Sequence, residues 1–255
     1  MTFPRAQLDE ILHRLFINAP ATGLRDEDRR KSDEMAGLLT EVAAAVKRRA
    51  AKRELVLVDA AAGKACVGLL AAELILAPRG QPARLRVIER DPARVAACRD
   101  AITRLSAPSV AVEIVAADVA DAAAWPSEPD LVIALHACSQ ASDLIIDQAL
   151  AVRARTLLLV PCCTSKSVSA AGLAKRHAEQ LGLPRHAEVR RRFIQAIVDA
   201  ERTLRLEAAG WQTTVVNFVP PTVSPHNLVW RALRVGEPGR MAAAAEQLAR
   251  LRGRS

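Results

Sequence analysis

The sequence is poor in aromatic residues and contains no tyrosine. Phe, Trp and Tyr together make up 3% of its 255 residues. Proteins that hold single-stranded nucleic acid without reading its sequence stack the bases on exposed aromatic rings. The shortage of rings therefore argues against a stacking platform of that kind.

The sequence also lacks a long apolar run. A helix that crosses a membrane needs roughly 18 or more apolar residues without a charge, and no such stretch occurs. The first ten residues, MTFPRAQLDE, contain no apolar segment like that of a signal peptide. We therefore expect no membrane span.

Cysteine is scarce, and its number is odd. The five cysteines include the adjacent pair Cys162 and Cys163 but no spaced Cys-x-x-Cys cluster. Together with Cys138 and His136 the pair forms a conceivable ligand set, yet adjacent cysteines chelate one zinc ion poorly. We expect small buried thiols in a reducing cytoplasm, no disulfide framework and no metal.

Positive charge is abundant. The formal net charge is +8 and the isoelectric point is near 9.8, and two cationic clusters, KRH at 175–177 and RRR at 190–192, stand close together in the chain. A basic surplus favours a polyanionic partner such as RNA. The alternative is an Arg- and Ala-rich composition with its charges on solvated faces.

The order of apolar runs predicts an α/β fold. Residues 1–53 are predicted to be an N-terminal helical extension, 54–236 the main domain, and 237–255 a basic C-terminal helix or tail. Within 54–236, five aliphatic runs alternate with helical segments, as in a buried, doubly wound parallel sheet. The runs GWQTTVVNFV and NLVWRALRV then form a hairpin-like pair. We predict a Rossmann-like, mostly parallel seven-stranded sheet with an antiparallel edge strand.

Acidic side chains close or follow the first three strands. In an open α/β sheet, ligands bind outside the carboxyl ends of the strands. Glu89 stands where an acid accepts the hydroxyls of an adenosine ribose, and Asp118 could take the adenine amino group. The alternatives are a surface acid for Glu89 and, for Asp118, the N-cap of the following VADAAAW segment.

The loop after the first strand, VDAAAGKACVG, has alanines where nucleotide-binding loops have glycines. The methyl groups of Ala61 and Ala65 are expected to forbid a positive φ and to keep a ligand away from the backbone. A dinucleotide is therefore disfavoured, whereas S-adenosylmethionine, which has no phosphate, is less demanding. We predict a site for it formed by these residues: Asp59, Ala61, Gly63, Lys64, Glu89, Asp118 and Val119.

These motifs resemble those of class I S-adenosylmethionine-dependent methyltransferases over about residues 55–235. The segments DLVIALHACSQASDLIIDQAL, LLLVPCCTSK and LRLEAAGWQTTVVNFVPPTVSPHNLVWRA look like a branch that includes tRNA 2′-O-methyltransferase-like proteins. Two features depart from that branch. Its loop reads Asp-x-Gly-x-Gly-x-Gly where this chain has DAAAGKA, and its histidines after the Cys pair and its zinc-binding segments are missing here. A tRNA substrate is therefore not carried over.

One histidine and one aspartate follow the fourth strand. His136 is the candidate catalytic base or acceptor-orienting group, and the alternative is a structural hydrogen bond between strands. Asp143 is expected to stabilise the following helix.

The sequence thus predicts a methyltransferase acting on RNA. The alternatives are a methyltransferase of a small molecule or protein and a non-catalytic RNA-binding protein with a degenerate cofactor pocket. The oligomeric state stays open.

Overall fold

Each predicted strand forms, and the aliphatic runs of the three central strands are largely buried on both faces of the sheet. The computed structural model describes residues 2–17, 26–48, 53–162 and 167–253, with the backbone alone for 26–30. The strands are β1 Leu55–Ala60, β2 Ala83–Glu89, β3 Val110–Ala116, β4 Leu131–Ala137, β5 Thr156–Pro161, β6 Trp211–Asn217 and β7 Leu228–Arg234.

The strands form one sheet in the order β3-β2-β1-β4-β5-β7-β6. The first five in sequence pair in parallel, whereas β7 is antiparallel to both β5 and β6. The predicted seven-stranded, mostly parallel sheet is confirmed. Its antiparallel strand is β7, which lies between β5 and the outermost strand β6.

Eight α-helices are present in the described ranges. They are α1 Arg5–Phe16, α2 Asp26–Lys47, α3 Cys66–Ala71, α4 Pro92–Ile102, α5 Ala141–Ala151, α6 Ala171–Gln180, α7 Ala187–Ala208 and α8 Pro238–Leu251. The segment after α3 continues as a π turn and then a 3-10 turn that contains Pro78, since proline cannot continue an α-helix.

The helices cover both faces of the sheet. On one face, α1 to α4 share a core with alternate residues of the central strands, and Leu8, Leu38 and Leu57 are fully buried in it. On the other face, α5 and α7 pack on Val58 and Trp230. The two N-terminal helices therefore bury their apolar stripes against the sheet. None of the helices described is long and apolar enough to cross a membrane.

Candidate active site

The carboxyl ends of β1 to β5 meet at one edge of the sheet. Strands β1 and β4 are neighbours in the sheet although two strands separate them in sequence. The helices that follow them, α3 and α5, pack on opposite faces. A reversal of this kind leaves a crevice outside the strand ends, where open α/β sheets bind ligands.

The loop after β1 adopts the backbone path that glycines would give it. Ala61, Gly63 and Ala65 have φ values of 53°, 61° and 57°, so the prediction that the alanine methyl groups forbid a positive φ is wrong. The turn is closed because the Ala65 N–H donates to the Ala62 carbonyl at 2.8 Å. Alanine takes this left-handed conformation at a cost of about 1–2 kcal/mol, which the surrounding hydrogen bonds offset.

Glu89 connects this loop to the end of β2. Its carboxylate accepts hydrogen bonds from the backbone N–H groups of Gly63 at 2.7 Å, Arg90 at 3.0 Å and Asp91 at 2.9 Å. A carboxylate has about four lone-pair positions. Glu89 therefore has room for about one further donor while the loop keeps this arrangement.

Asp59 lies beneath the loop and is buried. Its Oδ2 accepts from the Gly68 N–H at 3.0 Å, which attaches the start of α3 to the end of β1. Burial raises the pKa of Asp59 to about 8, the Gly68 hydrogen bond opposes this effect, and the charge of Glu89 adds to it. The side chain is thus largely neutral at pH 7, and it shapes the loop from below.

Asp118 lies at the surface, after β3. Its Oδ1 accepts from the Ala120 N–H at 2.9 Å, and its Oδ2 accepts from Arg90 at 2.9 Å. The Ala120 hydrogen bond, helped by Arg90 and opposed by burial, lowers the pKa of Asp118. The N-cap of the short 3-10 helix that follows is Asp121, so the alternative role proposed for Asp118 is wrong.

Lys64 and Val119, the two remaining residues of the predicted cofactor site, differ in accessibility. Lys64 is exposed at the top of the loop. Val119 is buried, and its carbonyl accepts from the Trp125 indole N–H at 2.9 Å. Asp59, Ala61, Gly63, Lys64, Glu89, Asp118 and Val119 thus all lie at the carboxyl ends of β1, β2 and β3.

His136 lies at the end of β4 in a strained conformation. Its φ is 55°, and the register of β4 against β5 shifts between Leu135 and Ala137. This bulge turns the imidazole toward α2, where its Nε2 is 2.8 Å from the Glu34 carboxylate. Nδ1 is buried and has no hydrogen-bond partner within the described ranges.

The loop between β6 and β7 contributes two further residues to the surroundings of His136 and Glu34. Ser224 donates a hydrogen bond to Glu34, and the His226 ring meets that of His136 edge-on with centroids 6.2 Å apart. Burial raises the pKa of Glu34, but the hydrogen bonds from His136 and Ser224 outweigh it, and the pKa is lowered. Burial, with His136 and Arg191 nearby, lowers the pKa of His226.

Two cysteines next to His136 are bonded to each other. Cys138, after β4, and Cys162, after β5, form a disulfide with Cα atoms 5.5 Å apart. The prediction of small buried thiols is wrong for this pair, whereas Cys98 is a buried free thiol. Cys163 lies outside the described residues. Over the ranges described, no group of three or more His, Cys, Asp and Glu side chains is placed to hold a metal ion.

Asp143 has the structural role expected of it. It lies in the first turn of α5, is buried, and accepts from Arg202 of α7 at 2.9 Å and from the Ser169 N–H at 3.1 Å. Both carboxylate oxygens are therefore engaged in holding α5, α7 and the segment before α6 together.

No sequence pattern predicts a role for Glu34. The residue lies 102 positions before His136 in the chain, in a helix that resembles any amphipathic surface helix. The SPHN tetrapeptide, which contains Ser224 and His226, was the only local signal of this part of the site.

Comparisons with known proteins point in one direction. A family model described as "Methyltransferase domain" matches residues 30–170, more than half of the chain. No curated protein matches the chain significantly.

Several solved structures are similar to the chain at low identity. Magnesium protoporphyrin IX methyltransferase from Synechocystis with bound SAH is 16% identical, covers 91% of this chain and 97% of its own, and has a TM-score of 0.47. Precorrin-6y C5,15-methyltransferase from Geobacter metallireducens is 18% identical over 87% and 94%, with a TM-score of 0.43. Fibrillarin from Aeropyrum pernix is 14% identical over 76% and 74%, with a TM-score of 0.45.

Similarity at these levels does not bear on the substrate. The family match, by contrast, spans the loop after β1, the acid that ends β2 and the turn after β4. The chain therefore belongs to the methyltransferase-domain family, as the motifs at its strand ends predict.

Proposed function

We propose that the protein is an S-adenosylmethionine-dependent methyltransferase that acts on RNA. The observation that carries the proposal is the pair of carboxylates at the end of β2 and after β3, Glu89 and Asp118, beside an open loop. A side chain added at Gly63 would meet no atom within 4 Å, so the space above the loop is free. Carboxylates suit a ligand that carries hydroxyls, an amino group and positive charge, and they repel phosphates.

The chain's own residues fit this ligand in parts. Glu89 would accept a ribose hydroxyl with its remaining lone pair, and Asp118, which is exposed, would accept from the adenine amino group. The backbone of 61–64 would face the methionine part, with Asp59 holding the loop from below. Val119 would line the adenine position, and Lys64 would face the carboxylate.

The bound cofactor supplies an electrophilic methyl group. The protein's contribution is to orient the acceptor in line with that group, since positioning alone supplies much of the rate in such displacements. His136 is the group at this edge that can accept a proton from the acceptor. The disulfide between Cys138 and Cys162 links the segments that follow β4 and β5.

RNA as the substrate is supported by the charge around His136. Arg191 is close enough to affect the pKa of His226. Further exposed cations lie on α6, at the start of α7 and between these helices, and the ones without an ion pair to any described residue are Lys175, Arg176, Arg185 and Arg192. Phosphates of an RNA strand would be attracted to this surface. The narrower resemblance, to tRNA 2′-O-methyltransferase-like proteins, stays a prediction.

A second candidate is a non-catalytic RNA-binding protein. The observation that favours it is Glu89, whose three backbone hydrogen bonds already occupy most of the carboxylate. If both ribose hydroxyls are to bind Glu89, one of them must displace the Gly63 N–H from the carboxylate. Loss of that hydrogen bond would weaken cofactor binding.

Calorimetry with S-adenosylmethionine separates the two candidates. We expect the wild type to bind it, and Glu89→Gln to bind at least 10-fold more weakly because a charge-assisted hydrogen bond worth about 1.5–3 kcal/mol is lost. Glu113→Gln, which alters an exposed acid on the adjacent strand, is the matched control. Absence of cofactor binding in the wild type, combined with retention of RNA, would support the non-catalytic candidate.

The acceptor is identified by transfer of a labelled methyl group. Lysate from cells that lack the protein is fractionated into RNA, protein and small molecules, and each fraction is incubated with the enzyme and labelled S-adenosylmethionine. Label in RNA is the expected result. Label in protein or small molecules alone would contradict the RNA assignment and leave the methyltransferase activity standing.

A further inference from the structure

Glu34 contacts both His136 and Ser224, a residue of the loop between β6 and β7. Its side chain is only 10% exposed, and it comes from α2, which packs on the sheet from the N-terminal part of the chain. His136 and Ser224 both contact its carboxylate. A buried carboxylate needs partners of this kind, because burying a charge without them is very costly.

The hydrogen bond with Glu34 fixes the protonation pattern of His136. An ionised carboxylate only accepts hydrogen bonds, so Nε2 of the imidazole must carry the proton that it shares with Glu34. Nδ1 is then left with a lone pair. A proton on the buried, unpartnered Nδ1 would be a donor without an acceptor, so the Nε2–H tautomer is favoured.

We propose that Glu34 is the positioning residue of a Glu34–His136 dyad that takes the proton from an acceptor hydroxyl. This inference rests on the proposed function and adds the class of acceptor to it. The strained backbone of His136 supports it, because left-handed φ values at non-glycine residues cost about 1–3 kcal/mol and persist where a site requires them.

The step balances as a single displacement. The acceptor O–H bond breaks and its proton moves to His136 Nδ1, while the oxygen electron pair forms a bond to the methyl carbon. The electron pair of the broken sulfur–methyl bond stays on sulfur, and S-adenosylhomocysteine leaves. Glu34 then stabilises the positive charge that the imidazole has gained.

The burial of His136 Nδ1 restricts how an acceptor can bind. The imidazole side chain is 34% exposed, but Nδ1 itself is covered by protein atoms. An acceptor hydroxyl must therefore displace that cover as it docks, and it then supplies the hydrogen-bond donor that Nδ1 lacks.

Three variants of the whole 255-residue chain test the inference. Glu34→Gln keeps the shape and removes the charge, and Glu34→Asp keeps the charge on a shorter side chain. Glu41→Gln is the matched control, because Glu41 lies two turns further along the same helix, is 12% exposed and forms its own ion pair with Arg231.

Three measurements are made on each variant. Nitrogen-15 NMR of labelled histidine reports the tautomer of His136 without any substrate. Kinetics of labelled-methyl transfer to total RNA, with nucleoside analysis of the product, report kcat, KM and the methylated atom. Calorimetry confirms that cofactor affinity is unchanged.

We expect the Nε2–H tautomer in the wild type and in Glu41→Gln, and a mixture of tautomers in Glu34→Gln. The kcat of Glu34→Gln should fall about 100-fold, in the range of general base catalysis, with KM unchanged and with partial recovery in Glu34→Asp. The methyl group should be found on oxygen.

An Nδ1–H tautomer in the wild type, an unchanged kcat in Glu34→Gln or a methyl group on a base nitrogen would each overturn the inference. If the wild type binds no cofactor, the proposed function fails and the dyad's catalytic role fails with it. The tautomer measurement distinguishes that case, because it still shows whether the Glu34–His136 pair forms.

Discussion

Ala61 and Ala65 show at the residue scale that a loop can keep a glycine-like path without glycine. Both lie in the left-handed region, and Ala65 is fully buried while Ala61 is half-exposed. The same backbone strain therefore has different consequences at the two positions, since only one of the methyl groups also fills space in the core.

Ala61→Gly is expected to stabilise the fold by about 0.5–1 kcal/mol. Glycine removes a left-handed strain of about 1–2 kcal/mol, and the added entropy of the unfolded chain takes back about 0.4–1 kcal/mol. Ala65→Gly should gain less because a buried methyl group is lost. Urea unfolding measures both, and Ala243→Gly on the exposed side of α8, which should lose about 1 kcal/mol, is the control.

Asp59 makes the stability of the fold depend on pH. Its pKa is 3.8 when unperturbed and about 8 in the folded protein, so the folded state binds more protons between these values. The stabilisation that this proton uptake gives is fully present below pH 3.8 and is lost as the pH rises toward 8.

Asp59→Asn removes this dependence. The variant should gain stability relative to the wild type as the pH is raised from 5 to 8, and urea unfolding at the two pH values measures the change. The asparagine carbonyl can still accept from the Gly68 N–H, so the local fold is preserved. Parallel stability profiles for the two proteins would contradict the expected shift.

At the scale of elements, Gly37 allows α2 to approach the loop that carries Ser224 and His226. A Cβ atom at Gly37 would lie 2.5 Å from Val219 Cγ1 and 2.7 Å from the Phe218 carbonyl oxygen. Glu34 lies one turn earlier on the same helix. The close approach at Gly37 therefore keeps Glu34 within reach of His136 and Ser224.

Gly37→Ala should destabilise the protein by up to about 2 kcal/mol. Overpacking typically costs about 1–3 kcal/mol, and the higher helix propensity of alanine returns about 1 kcal/mol. Gly172→Ala is the matched control in α6, because the nearest atom to its added Cβ, on the flexible Arg176 side chain, is 3.7 Å away. Thermal unfolding of both variants should give shifts of opposite sign.

On the scale of the whole molecule, the acidic edge and the basic surface lie in different places. Glu89 and Asp118 lie at the end of β2 and after β3, whereas the exposed cations Lys175, Arg176, Arg185 and Arg192 lie on α6, at the start of α7 and between these helices. This separation would let one ligand without phosphate and one polyanion bind side by side.

Replacing Arg176 and Arg192 together by Gln should weaken RNA binding. Each phosphate contact that is lost lowers the slope of log affinity against log salt by about 0.7–0.9. Binding of a labelled RNA is measured between 50 and 200 mM salt. Arg240 and Arg250 on α8, which pair with Glu237 and Glu246, give the control double variant, and an equal loss in both would indicate net charge alone.

The fold and the site residues at the strand ends follow from the sequence by itself. Aliphatic runs of strand length alternate with helical segments, and this pattern is local, so Glu89, Asp118 and His136 are identified as the residues that end or follow β2, β3 and β4. Carboxyl ends of parallel strands share one edge of a sheet, so the sequence places all three residues at that edge.

The contacts, conformations and charge states of the site residues were decided by the tertiary structure. Glu34 meets His136 across 102 residues of chain, and no local pattern encodes a contact of that range. The left-handed alanines, the hydrogen bonds that occupy Glu89 and the neutral state of Asp59 depend on burial and on neighbours supplied by other segments. The sequence determined where chemistry can occur, and packing decided which groups are charged, strained and paired there, because those properties exist only once the surrounding side chains exclude water.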